Sequence, residues 1–564
     1  PVRELRSSDL LKLVWESPEY QEFQAGEDYK NMQRVRKVAE FILRMDLWDA
    51  AEKLFGDQMG IALYPKEGSE SPDLLLVVRP ASRFAYLKQR IWLDPLFMLA
   101  GKKIMEGPLS ETEGIKAWQT RGDKGEPAYV LLGRSWFAFA TDKSLLERAV
   151  VRSDDDPSIA DSSGYRAATT QLGEDLLIRA HVDTSAISDA TGGRLGIPEK
   201  SDNGFGSFLA GGITELVARG TYTCAGLRLG DGGSFVLEVA GDGDPAELPE
   251  HFSVFFTDPP DKGCRPIPEV PGLIGGISIY RDLARWYQDR EEHLQTKVLP
   301  GFDKFETGIG NLLPGHDIGE DVPPLFGSNY TLVSALQSYG HLEGEPGVHI
   351  PAFAIIASLE EPGEASDLMQ LLFQTTVSVL NFEAAQQKRQ PWLLSAEDYR
   401  GTQLTFARYL ETPQGDDLPV VFNFQPAAAR VGDEFVFSSS LGLCRSLVDH
   451  LNASDRTASL PEDFRMRLQG DAFRDALVAN RDHLEAAQVT KGRDADQAAG
   501  DIDRLFGLLG RLGHVDLSTC SDNGGFKLRL KAGMKTAPAP PAVEQKATKE
   551  AAGSETTDDV PTKP

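Results

Sequence analysis

The stretch HVDTS, His181–Ser185, brings together three residue types that can do chemistry, histidine, aspartate and serine. In a Ser-His-Asp triad the histidine takes the serine proton and the aspartate orients the histidine. Triads are assembled in space, however, and neighbouring residues on a strand point to opposite faces. A hydrogen-bonded strand end is the simpler interpretation. HVD recurs at His514–Asp516, but out of register with the similarity between the two halves of the chain.

Carboxylates could bind calcium in GDGDPAE, which contains Asp242, Asp244 and Glu247. The stretch lacks the third ligand and the central glycine of the twelve-residue calcium loop, so a solvated turn is predicted. The run Asp154–Asp156 is typical of a charged loop. The sequence has no HExxH motif, and its histidines lack ligand-like spacing. We therefore assign no metal-binding residue.

Motifs for nucleophilic catalysis and phosphate binding are missing as well. GFGSF, Gly204–Phe208, lacks the frame of a G-x-S-x-G elbow. GIGNLLPG, Gly308–Gly315, lacks the Lys-Ser/Thr of a P-loop and the third glycine of a dinucleotide fingerprint. No cysteine pair has CxxC spacing, and buried free thiols are expected. The four cysteines are Cys224, Cys264, Cys444 and Cys520. We assign no catalytic or cofactor-binding residue, and no cofactor is expected.

The charge of the chain excludes some partners. With 58 basic and 85 acidic residues among 564, the net charge is −27. Phosphate backbones repel such a chain, so no nucleic-acid partner is expected. No apolar run approaches the roughly 20 residues of a membrane span, and no secretory signal is visible. Because the sequence starts at Pro1, we expect an upstream segment to have been removed, and a membrane tether there stays open.

The two halves of the chain resemble each other. LFGDQMGIALYP, Leu54–Pro65, is similar to LFGSNYTLVSAL, Leu325–Leu336. Further matches follow in the same order along both halves. They pair Asp9 with Asp282, Pro72 with Pro351, Phe139 with Phe437, Cys224 with Cys520, and Phe235 with Phe526. The period of roughly 280 residues far exceeds that of a solenoid repeat. The similarity therefore predicts a tandem duplication of one module.

Four regions are predicted along the chain. They are a first module at 1–245, a Pro-rich connector at 246–271, a second module at 272–533 and a disordered tail at 534–564. Prolines in PPDKGCRPIPEVPG disfavour regular helix in the connector. The tail contains no aromatic residue, leucine or isoleucine, so it cannot bury enough apolar area to become ordered.

Each module is predicted to be α+β. Strands come mostly as hairpins with helices between groups of strands, which indicates largely antiparallel sheets backed by helices. Helices are expected at 9–24 and 30–50, and the two modules should be related by a pseudo-two-fold. In the second module a strand, Gly272–Tyr280, precedes the first helix. Its counterpart would lie at or before Pro1, so the first module should lack most of its first strand and expose a sheet edge.

Three stretches carry a resemblance to a known family: SDLLKLVWESPEYQEF, the hairpin LFGDQMGIALYP, and GRSWFAFATDKSLLERAV followed by SSGYRAATTQL. They resemble an uncharacterised bacterial family, a domain of unknown function, of repeated α+β modules in envelope and membrane-anchored proteins. The resemblance covers nearly all of residues 1–533. It implies a bacterial protein that is exported or tethered to a membrane, and it implies no activity, cofactor or catalytic residue.

These observations favour a non-enzymatic binding or structural protein of the bacterial cell envelope or periplasm. Its partner would be a protein or another envelope component. Two alternatives stay open, a hydrolase-type enzyme with a site at the interface of the modules and a periplasmic carrier of an apolar ligand. A cytoplasmic location and the oligomeric state also stay open.

Overall fold

A computed structural model describes the chain with several gaps. The described residues are 46, 49, 58–64, 72–79, 91, 103–104, 115–121, 127–133, 135–151, 158–190, 193–230, 234–257, 262–313, 315–410, 417–453, 458–522 and 524–535. The helices expected at 9–24 and 30–50 lie outside these residues, apart from Asp46 and Asp49. All but the first two residues of the predicted tail also lie outside them.

Strands fall into groups along the described part of the chain. In the first half they are β1 (Gln58–Tyr64), β2 (Asp73–Arg79), β3 (Lys103–Ile104), β4 (Lys116–Arg121), β5 (Pro127–Leu132), β6 (Phe137–Ala140), β7 (Ile178–Asp183), β8 (Tyr222–Leu229) and β9 (Phe235–Gly241). In the second half they are β10 (Leu273–Tyr280), β11 (Phe326–Ala335), β12 (Glu345–Pro346), β13 (Ala352–Leu359), β14 (Trp392–Tyr399), β15 (Thr402–Tyr409), β16 (Asp417–Leu418), β17 (Ala427–Val431), β18 (Glu434–Ser438), β19 (Phe464–Gln469), β20 (Leu512–Asp522) and β21 (Gly525–Met534).

Helices separate these groups of strands. They are α1 (Lys143–Val151), α2 (Ser163–Leu172), α3 (Thr184–Ala190), α4 (Gly204–Arg219), α5 (Leu283–Gln288), α6 (Arg290–His293), α7 (Leu299–Gly310), α8 (Pro362–Gln386), α9 (Leu441–Ala453), α10 (Gly470–Val478), α11 (Arg481–Thr490) and α12 (Ala495–Arg511). Asp282 caps the start of α5, since its carboxylate accepts a hydrogen bond from the Arg285 N–H at 3.0 Å. None of these helices is both long and apolar enough to cross a membrane.

Two large antiparallel sheets confirm the α+β class. The long sheet has thirteen strands in the order β14-β15-β17-β18-β13-β11-β10-β19-β20-β21-β9-β8-β7. The short sheet has six strands in the order β1-β2-β6-β5-β4-β3. A separate parallel pair joins β12 to β16. The long sheet therefore contains strands from both halves of the chain.

Both halves share one strand order. The short sheet reads β3-β4-β5-β6-β2-β1, and its counterparts in the long sheet read β14-β15-β17-β18-β13-β11. The registers also agree with the sequence matches. The equivalent pairs are Ile61–Leu76 and Leu76–Phe139 in the short sheet, and Leu332–Ile355 and Ile355–Phe437 in the long sheet. The agreement supports the predicted duplication, which stays a hypothesis, as does the division into four regions.

One of the sequence matches conflicts with the strand register. Cys224 lies opposite Ala240 in the hairpin β8–β9, whereas Cys520 lies opposite Lys527 in the hairpin β20–β21. The match between β9 and β21 makes Lys531, not Lys527, the counterpart of Ala240. The match of Cys224 to Cys520 and the match of Phe235 to Phe526 therefore cannot both hold in these two hairpins. The predicted tail also starts one residue early, because β21 includes its first residue.

The seam between the two halves is the pairing of β9 with β21. Its register is symmetric about Glu238, which lies opposite Arg529. The Arg529 Nε lies 3.6 Å from a Glu238 carboxylate oxygen, and Arg228 makes a second ion pair with the same carboxylate. Glu238 is 6% exposed, so this buried carboxylate has two cationic partners at the centre of the seam.

Helices and the connector cover the two faces of the long sheet unequally. One face packs Val333, Ala354, Ile356 and Val436 against α9, and the connector residue Val270 joins this core. We call it the covered face. Successive residues of a strand point to opposite faces, so the residues between these lie on the other face of the long sheet. On that face α8 packs over Leu359, Ala407, Ala428 and Phe435 at one end of the sheet. Leu313, which follows α7, belongs to the same core.

The connector is docked onto the second half of the chain. Gly263 N–H donates to the Leu460 carbonyl at 2.8 Å, and Cys264 N–H donates to the Glu462 carbonyl at 2.7 Å. Cys264 is fully buried. A side-chain carbon added at Gly263 would come 2.2 Å from the Glu462 carbonyl oxygen. The connector therefore approaches the neighbouring backbone too closely for any residue with a Cβ.

We expect Gly263→Ala to destabilise the protein by about 2–3 kcal/mol, because neither backbone can move away without breaking these hydrogen bonds. The matched control is Gly301→Ala in α7, where an added Cβ meets nothing within 4 Å. Alanine is the better helix former, so this control should stabilise α7 by up to about 1 kcal/mol. Urea denaturation of both variants tests the prediction. Equal midpoints for the two variants would contradict the docked connector.

An aromatic cluster fills the space between α4 and α5. Its members are Phe252, Val254, Phe255, Trp286, Tyr287 and Leu294, with Phe208 and Phe302 packed against them. His293, which is 3% exposed, lies inside this cluster with its ring stacked on Trp286 at 6.3 Å and close to His251 at 5.2 Å. Burial lowers the pKa of His293 to about 4. The imidazole is therefore neutral in the folded protein at neutral pH.

His293 should contribute a loss of stability at acidic pH. Because its pKa is depressed in the folded state, the unfolded chain binds this proton first, and stability is lost as the pH falls from about 6.5 to 4, by up to about 3 kcal/mol. Asp463 acts oppositely: burial raises the pKa of its carboxyl to about 6, so its contribution to stability falls as the pH rises from about 4 to 6. Between about pH 4 and 6, the changes in stability caused by His293 and by Asp463 therefore oppose each other.

We therefore expect His293→Gln to gain stability relative to the wild type as the pH falls from 7 to 4, by up to about 3 kcal/mol. Chemical denaturation at each pH measures the difference between the two proteins. His316→Gln serves as the control, since its side chain is 39% exposed and outside the cluster. A difference that does not change with pH would contradict the assignment to His293.

Candidate binding surface

The HVDTS stretch does not assemble a triad. Asp183 ends β7 and accepts hydrogen bonds from the Ser185 hydroxyl at 2.7 Å and from the Ala186 N–H at 3.0 Å. These bonds start α3 and hold the pKa of the Asp183 carboxyl below its ordinary value. His181 packs between Tyr165 and Tyr222, with ring centroids 5.5 and 5.7 Å away, and burial lowers its pKa. The hydroxyl is therefore bonded to the carboxylate rather than to the histidine.

Two carboxylates of the GDGDPAE stretch, where a solvated turn was predicted instead of a calcium loop, serve as turn acceptors. Asp242 accepts from the Thr221 N–H at 2.8 Å and from the Tyr222 N–H at 3.1 Å. Asp244 caps a short 3₁₀ helix by accepting from the Ala246 N–H at 2.9 Å. In the described part of the chain, no group of three or more His, Cys, Asp or Glu side chains is placed to hold a metal ion. Asp154–Asp156 lie outside the described residues.

The glycine-rich stretches and the cysteines are also structural. Gly204–Phe208 forms the first turn of α4, where Asn203 caps the helix by accepting from the Gly206 N–H at 2.9 Å. Gly308 and Gly310 lie in the last turn of α7. The four cysteines are free, and Cys520 is the least buried of them. Burial raises the pKa of Cys264 and of Cys444 to about 12, so both thiols stay protonated and unreactive.

A groove of about 370 Å³ lies between the connector, α9 and β19. Its charged lining includes Arg265, Arg465 and Arg467. Arg467 donates to Asp516 at 2.8 Å and to Glu269 at 2.7 Å, and Asp516 also lies 3.9 Å from Arg465. These carboxylates compensate the charges of Arg465 and Arg467, so this part of the groove is typical of a structural ion-pair network rather than of an anion site.

The face of the long sheet opposite the covered face carries a row of large apolar side chains. Directly paired residues of antiparallel strands project to the same side, so the register places these side chains next to one another. In order across the sheet they are Phe437, Ile355, Leu332, Ile277, Met466 and Leu517. The row continues across the seam through Leu530 and Leu237. We call it the apolar row.

One end of the apolar row is exposed to solvent. Leu332 is 40%, Phe353 is 43%, Ile355 is 47% and Phe437 is 36% exposed. We call these four residues the apolar patch. Phe353 belongs to it because it precedes Ile355 by two residues on β13 and so shares its face. The alternate residues of β13, Ala352 and Ala354, point to the covered face and are buried. The sheet is therefore covered on one side only at this position.

Ordered elements border the apolar patch. On one side Phe373 of α8, which is 4% exposed, contacts Phe437 with ring centroids 5.8 Å apart. On another side Tyr330, two residues before Leu332, meets Phe208 of the aromatic cluster at 6.3 Å. The patch is thus an apolar surface that α8 and the aromatic cluster border on two sides. Contiguous exposed apolar side chains on a folded protein typically mark a binding surface.

Sequence reasoning missed the apolar patch. The strand AFAIIASL, β13, is apolar at both alternating positions, which is typical of a strand buried on both faces. Residue size is the signal that distinguishes this strand from one buried on both faces, because small alanines alternate with Phe353 and Ile355. The small residues lie under α9, and the large ones have no cover among the described elements.

The similarity of the chain to known proteins was tested in three ways. Comparisons with protein-family models, with curated proteins and with solved structures found no match. We therefore infer the function from the geometry of the sheet and of its side chains.

Proposed function

We propose that this protein is a non-enzymatic binding or structural protein of the bacterial cell envelope, and that its apolar patch docks a protein partner. The apolar patch is the observation that carries the proposal. Burying apolar area stabilises association by roughly 25 cal/mol per Å², and four large side chains at 36–47% exposure offer such area in one place. The envelope location rests on the sequence resemblance alone.

The polar groups support a binding protein over a hydrolase. The carboxylates of Asp183, Asp242 and Asp244 cap turns, and the Ser185 hydroxyl is bonded to one of them. At the interface between the two halves, where a hydrolase site was an alternative, the aromatic cluster packs apolar side chains from both halves against each other. An open apolar floor also differs from the enclosed cavity that a carrier of apolar ligands needs.

The partner's chemistry can be inferred from the surface. Its contact face must be apolar, with large aliphatic or aromatic side chains that pack on Ile355 and Phe437. The net charge of −27 favours a basic protein as the partner and speeds association with it. The same charge disfavours the surface of an anionic lipid membrane as the partner.

Site-specific photo-crosslinking in cells tests the proposal. A photoreactive residue at Ile355 or at Leu332 should give a crosslink to one and the same protein, and that protein, once purified, should bind the purified full chain. The matched control position is Leu410, an apolar residue that is 62% exposed away from the patch. Crosslinks of equal yield from Leu410, adducts with lipid only, or no binding by the purified protein would each overturn the proposal.

A further inference from the structure

The side chains of β21 separate its two faces by charge. Leu530 belongs to the apolar row, whereas the residues at alternate positions, Lys527, Arg529 and Lys531, point to the opposite side of the sheet. Alternate residues of a strand lie about 7 Å apart, so the three cations form a line of about 14 Å along β21. We call these three residues the cationic strip.

The cationic strip is exposed to solvent at its centre. Arg529 is 53% exposed, and Lys527 and Lys531 are partly exposed. On one side of the strip, α2 packs over Ala240 of β9, which lies opposite Lys527. On the other side, the connector is joined to β19 by an ion pair. The strip therefore lies between these two described elements as an accessible part of the sheet face.

Neighbouring carboxylates compensate only part of the charge of the strip. Glu238 is shared between Arg529 and Arg228 of β8. Asp516 of β20 lies opposite Lys531, but it accepts a hydrogen bond from an arginine of β19 at 2.8 Å. Among the described ion pairs, neither carboxylate is bonded to a lysine of the strip. A local excess of positive charge thus remains on a chain whose net charge is −27.

The last turn of α2 holds two cations in place at one side of the strip. Arg228 donates to the Leu172 carbonyl at 2.7 Å, and the Lys527 ammonium donates to the Gln171 carbonyl at 3.5 Å. Carbonyls at a helix C-terminus attract cations but carry no full charge. The two side chains are therefore oriented while their positive charge stays available to an anion.

We propose that the cationic strip binds a short acidic segment of a partner polypeptide, which is extended and carries carboxylates at alternate residues. Alternate side chains of an extended chain recur at about 7 Å, so three carboxylates can face Lys527, Arg529 and Lys531 one to one. A long polyanion such as a nucleic acid would continue beyond the strip over an acidic protein, which repels it. Because the strip and the apolar patch point to opposite sides of the sheet, this partner is additional to the one proposed for the patch.

Fluorescence anisotropy with the purified full chain tests this binding mode. The probe is a labelled peptide of the sequence SDSDSDS, and the control peptide SSDDDSS has the same composition with adjacent aspartates. The alternating peptide should bind at least about threefold more tightly, and its affinity should fall as the salt concentration rises from about 50 to about 200 mM, because salt screens exposed charges. Equal affinities for the two peptides, or an affinity that salt does not change, would contradict the proposal.

Matched variants identify the site. The double variant Lys527→Gln with Lys531→Gln should weaken binding of the alternating peptide at least about tenfold. Lys527→Arg with Lys531→Arg should bind like the wild type, because the positive charge is retained, and equal urea midpoints show that both proteins fold. Lys297→Gln, at a position that is 64% exposed outside the strip, is the control and should change nothing. Unchanged binding by the double glutamine variant overturns the proposal. So does a single-stranded oligonucleotide that binds the wild type more tightly than the peptide and loses its binding in that variant.

Discussion

Arg281→Met should lower the free energy of unfolding by about 3–5 kcal/mol, the loss expected when a buried charge network loses one member. Arg281 follows β10 directly and is 4% exposed. Its guanidinium donates to main-chain carbonyls from both halves of the chain. The acceptors are the carbonyls of Phe208, Leu209, Phe255, Tyr280 and Asp463, at 2.5–3.3 Å. Substitution would leave these buried carbonyls without their donor.

Charge makes the same substitution costly. Burial lowers the pKa of Arg281 only to about 10, so the guanidinium is charged at neutral pH and attracts the buried carboxyl of Asp463. Without Arg281, the Asp463 carboxylate keeps the Ser521 hydroxyl at 3.1 Å as a donor but loses the attraction of the Arg281 guanidinium. Its pKa should then rise above about 6, and the variant should be least stable above that pH.

The control for Arg281→Met is Arg285→Met, four residues further along. Arg285 is 38% exposed and pairs with Glu250, which is 88% exposed, so its loss should cost less than about 1 kcal/mol. Arg281→Lys should recover little of the loss, because one ammonium cannot reach five carbonyls at once. Denaturant unfolding at pH 7 measures all three. An Arg281→Met protein within 1 kcal/mol of the wild type would show that the carbonyls find other donors.

Ile355→Asp should weaken binding to the purified partner by about 100-fold, or roughly 3 kcal/mol, without unfolding the protein. The substitution puts a carboxylate in the middle of the apolar patch, where a docked apolar face would strip its water. Since Ile355 is already 47% exposed, its replacement should change the free energy of unfolding by less than about 1 kcal/mol.

Two measurements on matched proteins separate binding from folding. Isothermal titration gives the affinity of the partner for Ile355→Asp and for the control Leu410→Asp, and denaturation gives the stability of both. We expect the affinity to fall for the first variant alone, with similar stabilities. If both variants bind as tightly as the wild type, the apolar patch is not the docking surface.

Individual strands and hairpins could be predicted from the sequence because each depends on residues that lie close together in the chain. The apolar runs ending at Tyr64 and starting at Asp73 are separated by a glycine- and serine-rich loop, and they form the hairpin β1–β2 with every residue paired. The match of Ile61 to Leu332 came from the same alternation. Register follows the apolar pattern closely, since a shift of one residue turns every side chain to the other face.

Long-range features had no such local signal. Arg281 follows a strand like any surface arginine, and only the folded chain brings the carbonyls of Phe208 and Leu209 to it. Similarly, the alternation on β13 shows which residues share a face but not whether a helix covers that face. The candidate surface could therefore be found only once α8 and α9 had positions.

The seam between β9 and β21 determines which strands can pair with each other. Glu238 faces Arg529 at its centre, while Lys527 and Lys531 face Ala240 and Val236. If β21 paired with its own copy in this register, arginine would face arginine and the two lysines would face each other, whereas two β9 strands would oppose buried glutamates. Like charges directly across a strand pair are destabilising. The charges thus disfavour pairing of either strand with a copy of itself and select the pairing of β9 with β21.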